Sequence, residues 1–375
     1  MTSSPGQQAQ QRPELKELAQ CFAIAGEVES IEPLGNGNVN DTFRVQTRSG
    51  ECFVLQRLNT AVFCQPELVM ANLRVLAEHC QAKGDQAGCQ VPNPIPLLRD
   101  GGYLLRCGDG SAWRMLSYIH GATSVDVLQS PSQAEQIGRG LGRFHALIHD
   151  LPAAQLHDTL EGFHVTPGYL KQYERVLGQA LAAGEPPMDA ETLACRSFIA
   201  ERLDLAGVLE QAREDGRLRL CPIHGDPKVN NVMLCASSGE AKALVDLDTV
   251  KPGLLHYDIG DCLRSACNPA GEETTDLHAV HFDLTLAEAL LRGYLAEAGP
   301  CLSQADRDHL FDAIRLLPFE LGLRFFTDHL AGNVYFKASH PRHNLERARV
   351  QFHLTESIES QASEICKMIR SLTQE

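Results

Sequence analysis

The sequence predicts an α+β fold of two lobes, an N-terminal antiparallel sheet with one helix and a mainly helical C-terminal lobe. The chain has 375 residues, more than one small hydrophobic core usually accommodates. Strand and helix patterns follow one another in the order β-β-β-α-β-β over about the first 120 residues. Helical patterns then dominate, interrupted by one strand-like region at residues 219–248.

Three strands are predicted between residues 28 and 58. The segments VESIEPL, DTFRVQT and ECFVLQRL are rich in β-branched and aromatic residues, and Ser49-Gly50 is typical of a hairpin turn. A helix is predicted over residues 66–79, because it begins with a proline and continues with leucines at helical spacing. Two further strands are predicted in the segments PLLRDGGYLLRC and SAWRMLSYI.

Beyond the predicted sheet, apolar residues recur at helical spacing in five segments. These segments are PSQAEQIGRGLGRFHALIHDL, TPGYLKQYERVLGQAL, AETLACRSFIAERLDLAGVLEQA, FDLTLAEALLRGYL and QADRDHLFDAIRLLPFELGLRFFTDHL. We therefore expect a flexible N-terminal segment at residues 1–25, an N-terminal lobe at 26–120 and a C-terminal lobe at 121–375.

Composition excludes several classes of protein. The formal net charge of −15 repels phosphate backbones, so no nucleic acid partner is expected. No run of ~18 uncharged apolar residues occurs, so no membrane span is expected, and the polar start lacks a signal core. The 13 cysteines form no CxxC pair, which indicates reduced thiols in the cytoplasm. Cys221 and His224 form a single CxxH, half of what a structural zinc site needs.

The segment CPIHGDPKVNNVML carries the strongest functional pattern. Asp226 follows His-Gly, Asn231 comes five residues later, and Asp246 ends the next apolar run. Two strands joined by a tight turn would bring Asn231 and Asp246 together as oxygen ligands for Mg²⁺, which completes its shell with phosphate and water. Asp226 would accept the proton of a hydroxyl group, and Lys228 would reach the transferring phosphoryl group. The pattern therefore predicts phosphoryl transfer rather than a set of turn and capping residues.

The sequence GNGN at residues 35–38 lies between the first two predicted strands. Its members, Gly35, Asn36, Gly37 and Asn38, form an ordinary turn when taken alone. Their position before two further strands favours a loop whose backbone N–H groups approach phosphates.

At these residues the chain resembles the aminoglycoside phosphotransferase and choline kinase branch of the protein-kinase-like fold. Within that branch it is most similar to the bacterial N-acetylhexosamine 1-kinases. This second likeness is carried by FVLQRLNTAVF, by residues 228–268, by LRFFTDHLAGNVYFK and by HNLERARVQ. The broad likeness spans roughly residues 28–360, and the sugar-kinase segments cover under a quarter of the chain.

The resemblance implies phosphorylation of the anomeric hydroxyl of N-acetylglucosamine or N-acetylgalactosamine, with ATP and Mg²⁺ as cofactors. Asp226 would be the base, Lys228 a phosphate contact, and Asn231 and Asp246 the metal ligands. The family pattern places Arg324 and Tyr335 in the sugar pocket, together with Asp226. A small-molecule sugar is then the expected partner, and we expect a monomer or a weak dimer.

The N-terminal lobe would bind the nucleotide, and its third strand departs from the family pattern. The usual lysine of this strand is missing from Phe53-Val54-Leu55-Gln56-Arg57, so either Gln56 or Arg57 would contact phosphate. Glu67 is then the candidate for the acidic partner on the following helix. The end of the fifth strand, with Met115, Ser117 and Tyr118, would lie beside adenine.

Other charged residues favour structural roles. Asp248 is expected to support the loop after Asp246, and Asp258 and Asp261 with Arg264 to cap a helix and form an ion pair. The pair His145 and His149 has the spacing of metal ligands but no third ligand, so packed or surface histidines are favoured. For Arg324, inside an apolar helix, a salt bridge and a ligand contact are equally compatible with the sequence before the resemblance is added.

Two further functions remain open from the sequence. The chain could be a kinase of the same fold for an aminoglycoside, choline or another small alcohol, and its acidic composition suits a cationic acceptor. It could also be a pseudokinase that binds nucleotide and regulates a partner, which the missing strand-three lysine supports. The intact Asp226, Asn231 and Asp246 favour an active enzyme.

Overall fold

The computed structural model describes residues 14–35, 39–84, 88–184 and 188–374. Its N-terminal lobe is a five-stranded antiparallel sheet in the order β1-β2-β3-β5-β4, crossed by one long helix. The elements are β1 (Val28–Pro33), β2 (Asp41–Thr47), β3 (Cys52–Leu58), α1 (Pro66–Lys83), β4 (Leu105–Arg106) and β5 (Ala112–Ser117). The β-β-β-α-β-β order predicted from the sequence is confirmed.

The two faces of this sheet have different neighbours. Leu55, Trp113 and Met115 belong to a small apolar cluster that includes Phe22 from the segment before β1. The alternate residues point to the opposite face, because side chains alternate along a strand. On that face Leu116 packs into a core shared with α1 and the C-terminal lobe.

The chain leaves the five-stranded sheet after Ser117 and enters the C-terminal lobe through β6 (Ala122–Thr123). This strand pairs with β8 (Val232–Cys235), which forms a hairpin with β9 (Ala241–Leu244). A separate pair joins β7 (Cys221–Ile223) to β10 (Lys251–Gly253). These short strands support the loops that contain the predicted functional residues.

Helices make up the rest of the C-terminal lobe, as predicted, although those over residues 343–360 and 362–374 lie outside the five predicted segments. They are α2 (Pro131–Ile148), α3 (Thr166–Ala183), α4 (Ala190–Ala200), α5 (Val208–Glu214), α6 (Leu255–Ala266), α7 (Leu284–Ala298), α8 (Gln304–Asp308), α9 (Leu310–Leu330), α10 (His343–Ser360) and α11 (Ala362–Gln374). Two predicted helices are each divided, α4 from α5 by a 3₁₀ turn at Leu203–Gly207 and α8 from α9 at His309. In the described part of the chain, no helix combines the length and apolarity needed to cross a bilayer.

Two helices approach unusually closely behind the strand region. A Cβ atom on Gly138 of α2 would lie 1.9 Å from the carbonyl oxygen of Leu290 in α7. A Cβ on Gly293 of α7 would lie 2.1 Å from the carbonyl oxygen of Glu135. Glycine at both positions lets the backbones pack together, and the β8–β9 hairpin packs on α2 near Gly140.

Candidate active site

The loop His224-Gly225-Asp226, which we call the HGD loop, follows β7 directly. Gly225 has φ +88°, and a Cβ there would lie 2.5 Å from the carbonyl oxygen of Thr249. The buried ring of His224 donates from Nε2 to the carbonyl oxygen of Val245 at 3.0 Å and accepts at Nδ1 from the Asp226 N–H at 3.3 Å. Burial lowers the pKa of this histidine, so it stays neutral.

Buried side chains hold the backbone of the HGD loop from three directions. Asp258 of α6 accepts the N–H groups of His224 and Gly225 at 2.7 and 2.8 Å. Thr249 donates its hydroxyl to the His224 carbonyl at 2.9 Å. His164 donates to the Gly225 carbonyl at 2.7 Å. The position of Asp226 is therefore fixed by its neighbours rather than by its own side chain.

Asp258 corrects an expectation from the sequence. We expected it to cap the helix near whose start it lies, but its carboxylate binds the HGD loop and the Nε2 atom of His145, 2.8 Å away. The residue is fully buried. The expected ion pair of Asp261 with Arg264 is present at 2.8 Å, and Glu272 joins it.

His164 carries a buried positive charge. Its Nδ1 lies 2.9 Å from Glu320 of α9, and its Nε2 faces a carbonyl oxygen, so both ring nitrogens act as donors. Burial disfavours the charge, but the carboxylate of Glu320 outweighs that effect and raises the pKa of His164. Thr166 donates to the second oxygen of Glu320 at 2.6 Å. The sequence contained no signal for this pair, because its members are 156 residues apart.

Asp226 and Lys228 form an ion pair at the open side of the loop. The Lys228 Nζ lies 3.0 Å from Asp226 Oδ2, and both side chains remain partly exposed. The neighbouring carboxylates, that of Asp226 first and then those of Asp261 and Asp246, raise the pKa of Lys228 above its usual value despite its partial burial. The lysine is thus a permanent cation beside the predicted base.

Asn231 and Asp246 are brought together by the β8–β9 hairpin. The Val245 N–H donates to the carbonyl oxygen of Asn231 at 2.9 Å, so Asp246 is one residue beyond the backbone partner of Asn231. The Asn231 Nδ2 donates to the Asp226 carbonyl at 2.7 Å. This bond orients the amide so that its oxygen remains for another ligand. The sequence predicted the hairpin and the juxtaposition of these two residues.

Asp246 sits in an electrostatically crowded position. Its backbone is left-handed, with φ 62° and ψ 54°, which is uncommon for a residue other than glycine. Its side chain opens to solvent on one side, while packed protein and the carboxylates of Asp248 and Asp226 raise its pKa to about 7. Concentrated negative charge of this kind favours a bound cation.

The donor set at this position fits Mg²⁺ bound together with a nucleotide. Asn231 and Asp246 offer hard oxygen ligands, the type that Mg²⁺ prefers. The described residues contain no group of three or more His, Cys, Asp or Glu side chains arranged to hold a metal ion without help. Two protein ligands supplemented by phosphate oxygens and water match the usual coordination of Mg²⁺.

The two candidates for the missing strand-three lysine lie on opposite faces of β3. Gln56 faces the cleft, and its Oε1 accepts from Nε and Nη2 of Arg114 at 2.9 and 2.7 Å. Arg57 faces outward, 3.9 Å from Asp41, and lines a cavity of about 440 Å³. Glu67 is wrong as the acidic partner, because its exposed carboxylate pairs with Arg106 at 2.7 Å.

The three residues predicted to lie beside adenine have different surroundings in the structure. Met115 is completely buried in the apolar cluster on the far face of the sheet, so its side chain does not line the cleft. Ser117 hydrogen-bonds with the backbone of Asn93, and Tyr118 remains half-buried beside His120. Gly35 has φ +71° at the start of its loop, and the predicted phosphate contacts at residues 36–38 lie outside the described residues.

Arg324 lies among aromatic rings at the edge of the HGD loop region. Its guanidinium carbon is 5.1, 4.9 and 5.4 Å from the ring centres of Phe163, Tyr169 and Phe336. No carboxylate of the described residues forms a salt bridge with it. Burial disfavours the charge of Arg324, but nearby Tyr169 and Glu320 outweigh that effect and raise its pKa.

Tyr335 belongs to a tight turn beside Arg324. The carboxylate of Asp328 accepts the N–H groups of Val334, Tyr335 and Phe336 at 2.9, 2.8 and 3.0 Å. The Tyr335 ring is more than half exposed and meets Phe336 edge to face at 4.8 Å. The turn thus places the Phe336 ring against Arg324 and leaves the Tyr335 ring exposed to solvent.

The remaining sequence candidates have structural surroundings. His145 is buried between Asp258 and Tyr294, whereas His149 is exposed. Cys221 is a free thiol that donates to the Gly253 carbonyl, and the ring nitrogens of His224 are both engaged elsewhere. The CxxH pair therefore has no geometry for zinc.

Comparison with known proteins relates the chain to enzymes. The sequence model described as "APH: Phosphotransferase enzyme family" matches residues 30–304, which is well over half of the chain.

Solved structures of kinases share the fold at low sequence identity. An aminoglycoside phosphotransferase from Alicyclobacillus acidocaldarius has a TM-score of 0.65 at 15% identity, covering 94% of this chain and 95% of that chain. An amicoumacin kinase in complex with AMP-PNP and Ca²⁺ has a TM-score of 0.60 at 15% identity, covering 91% and 92%. The choline kinase from Cryptosporidium parvum has a TM-score of 0.56 at 14% identity, covering 91% of each chain. The predicted fold class is confirmed by these likenesses.

Proposed function

Because the chain belongs to the phosphotransferase enzyme family, we propose that it transfers the γ-phosphoryl group of ATP to the anomeric (C1) hydroxyl of an N-acetylhexosamine. The products are the sugar 1-phosphate and ADP. The observation that carries the transfer reaction is the placement of Asp226 beside Lys228, with Asn231 and Asp246 joined through the β8–β9 hairpin.

Asp226 acts as the base in this proposal. Its carboxylate orients the C1 hydroxyl and accepts the proton as the hydroxyl oxygen bonds to the γ-phosphorus. The bond from the γ-phosphorus to the bridging oxygen breaks, and the electron pair leaves with ADP. Lys228, now paired with Asp226 at 3.0 Å, is close enough to neutralise charge on the transferring group.

Asn231 and Asp246 would hold Mg²⁺ in this proposal. When bound, the ion neutralises phosphate charge and orients the triphosphate. The contribution of the chain is to fix both ligands before the nucleotide arrives, because the Asn231 amide already donates to the Asp226 carbonyl.

The surroundings of Arg324 support a neutral or oxygen-rich acceptor over a cationic one. The guanidinium has aromatic neighbours and no salt bridge among the described residues, so its N–H groups remain available to a carbonyl or hydroxyl oxygen of a ligand. The acetamido group of an N-acetylhexosamine offers such an oxygen. A quaternary or primary amine would instead be repelled by the arginine, and stacking on aromatic rings also suits a sugar.

The test is an acceptor screen that measures ADP release with Mg-ATP. The acceptors are N-acetylglucosamine, N-acetylgalactosamine, N-acetylmuramic acid, glucose, choline and kanamycin. We expect the two unmodified N-acetylhexosamines to give the highest kcat/KM, and phosphorus NMR to identify a C1 phosphate. A preference for kanamycin or choline would replace the sugar with a cationic acceptor. ATP binding without turnover on any acceptor would favour the pseudokinase.

A further inference from the structure

The cleft face of β3 carries a glutamine where this type of enzyme is expected to use a lysine, and that glutamine binds an arginine. The Oε1 atom of Gln56 accepts from two nitrogens of Arg114, on the neighbouring strand β5. The Nε2 atom of Gln56 donates to Thr42 at 3.1 Å. Both the oxygen and the nitrogen of the Gln56 amide are therefore hydrogen-bonded, and the role of Gln56 is to hold the Arg114 guanidinium in place.

Arg114 crosses from the N-terminal lobe to the loop after Asp246. The residue is 1% exposed, and its Nη2 lies 2.5 Å from Oδ1 of Asp248, which is also buried. Its Nη1 and the Asp248 Oδ1 are both buried without an aligned hydrogen bond in the described residues, so Arg114 and Asp248 attract each other as an ion pair. Burying this guanidinium carries a large desolvation cost, which Asp248 offsets.

Asp248 is also bound by the residue just before β2, a second strand of the N-terminal sheet. Its Oδ2 accepts from Asn40 at 2.7 Å, and Asn40 in turn accepts from the Asn59 N–H at 3.0 Å. One carboxylate of the C-terminal lobe is thus held by residues from the entry to β2 and from β5. We call the contact between Arg114 and Asp248 the Arg114–Asp248 bridge.

The bridge lies within two residues of the proposed metal ligand. Asp246 precedes a single 3₁₀ turn, Leu247–Thr249, that contains Asp248. Thr249 in the same turn donates to the His224 carbonyl of the HGD loop. Because one residue separates Asp248 from Asp246, a displacement of Asp248 would shift the backbone from which the Asp246 carboxylate projects.

We propose that the Arg114–Asp248 bridge is a positioning device that fixes Asp246 for the metal–nucleotide complex and joins the lobes in place of a lysine–glutamate pair. Arg114 acts through Asp248 and is not assigned a contact with the phosphates. The inference rests on the proposed use of ATP with a divalent cation and is independent of the acceptor.

The decisive quantity is the gain in ATP affinity that Mg²⁺ produces. Isothermal titration calorimetry with ATP in Mg²⁺ and with ATP in EDTA gives this gain, and thermal unfolding gives the stability of each variant. We expect Arg114→Met and Asp248→Asn to reduce the gain about 10- to 100-fold, the usual effect of losing a residue that orients a metal ligand. Affinity for metal-free ATP should change less than threefold. Arg114→Lys should be intermediate, because a lysine cannot bind Gln56 and Asp248 through a planar fork.

The double variant separates positioning from stability. Removing both charges should restore part of the melting temperature that either single variant loses, because the double variant leaves no unpaired buried charge at this contact. The gain in ATP affinity produced by Mg²⁺ should stay reduced, since the Arg114–Asp248 bridge is still missing. The matched control is Arg202→Met, which removes a partly buried arginine bound to Glu359 and should leave the gain unchanged.

Two results would overturn the inference. One is a gain from Mg²⁺ that stays at the wild-type level in both single variants. The other is a gain in ATP affinity that recovers together with the melting temperature in the double variant, since the bridge would then contribute to stability alone. A wild-type protein that does not bind Mg-ATP would instead refute the proposed function itself.

Discussion

At the residue scale, Gly225 shows how closely the HGD loop and the turn after Asp246, the two proposed catalytic segments, approach each other. Its φ of +88° is easily adopted only by glycine, and its missing Cβ leaves room for the Thr249 carbonyl oxygen. A side chain at this position would have to push the HGD loop away from the turn that follows Asp246. The distance between the proposed base and the proposed metal ligands therefore depends on this residue having no side chain.

Replacing Gly225 with alanine is predicted to impair catalysis. We expect kcat to fall by about 100-fold, because displacements near 1 Å at a reacting centre have effects of that size. Gly239→Ala is the matched control, since Gly239 has φ +74° and a Cβ there would meet no described atom within 4 Å. It should lose only ~1–2 kcal/mol of stability to backbone strain and keep its kcat. Equal kcat values for the two variants would contradict the close-approach argument.

Arg324 is predicted to contribute to acceptor binding and not to nucleotide binding. Arg324→Met should raise the acceptor KM about 10- to 100-fold, which corresponds to the ~1.5–3 kcal/mol of a hydrogen bond to a charged group. The KM for ATP should change less than threefold. Arg315→Met, on the same helix but paired with Asp312, is the control and should leave both values unchanged. Equal increases in both KM values for Arg324→Met would remove the arginine from the acceptor site.

The residues that could be predicted from the sequence are those whose roles depend on local spacing. Asp226, Asn231 and Asp246 lie within one strand-turn-strand segment, so their proximity follows from a hairpin. The partners of Asp258 and Arg114 are distant in the chain, and only the packed structure brings them together. For Asp258 the sequence suggested a helix cap, because an acidic residue at a helix start usually has that role.

At the element scale, the HGD loop is held between α6 and the charged pair of His164, which lies just before α3, and Glu320 of α9. Glu320 and His164 are both almost completely buried, and their charges stabilise each other. The His164 ring in turn supports the Gly225 carbonyl at 2.7 Å. A loop held in this way should respond to the ionisation of the pair.

The stability contributed by His164 is predicted to depend on pH in a defined direction. The pKa of His164 is raised by Glu320, so its contribution is complete below the unfolded-state pKa of ~6.5 and declines as the pH rises through the folded-state value. The pKa of Glu320 is lowered by His164 against the effect of burial, so its contribution declines only in acid, below ~4.5. The charged pair therefore stabilises the fold most at pH 5–6.

The measurement is the free energy of unfolding of the wild type and His164→Gln at pH 5.5 and at pH 9. At pH 5.5 the variant should be less stable by about 3 kcal/mol, the usual cost of breaking a buried pair, and the difference should shrink at pH 9. Thr166→Val removes an uncharged bond to the same carboxylate and should give a difference that varies little between these pH values. A His164→Gln difference that grows with pH would contradict a charged histidine.

Most elements could be predicted from periodicity, and the exceptions have local physical reasons. The predicted helix over AETLACRSFIAERLDLAGVLEQA is divided because Arg202 turns back to bind Glu359 and the Phe198 carbonyl, where a 3₁₀ turn begins. The helix α9 continues through Pro318, which is buried in the core, because packing on both sides compensates for the lost hydrogen bond. Neither the hydrogen bonds of Arg202 nor the packing around Pro318 can be predicted from periodicity alone.

At the scale of the whole molecule, a few buried polar contacts join the two lobes beside their shared apolar core. Asn40 and Arg114 bind Asp248, and Asn72 of α1 donates to the Val250 carbonyl at 2.9 Å. The sequence predicted two lobes with the correct order of elements, but the contacts between the lobes join residues up to 208 positions apart. Such pairings follow from the folded arrangement and leave no periodic signal in the chain.

The central claim is that Asp226 accepts the proton of an alcohol while the neighbouring residues hold a metal-bound triphosphate. The most direct measurement compares Asp226→Asn with the wild type in single-turnover transfer from Mg-ATP to N-acetylglucosamine, alongside calorimetric titration with Mg-ATP. The account predicts a rate lowered by about 10²–10⁴-fold, the usual contribution of a general base, with Mg-ATP affinity within about threefold of the wild type. A variant that transfers phosphate at a rate close to that of the wild type would contradict it.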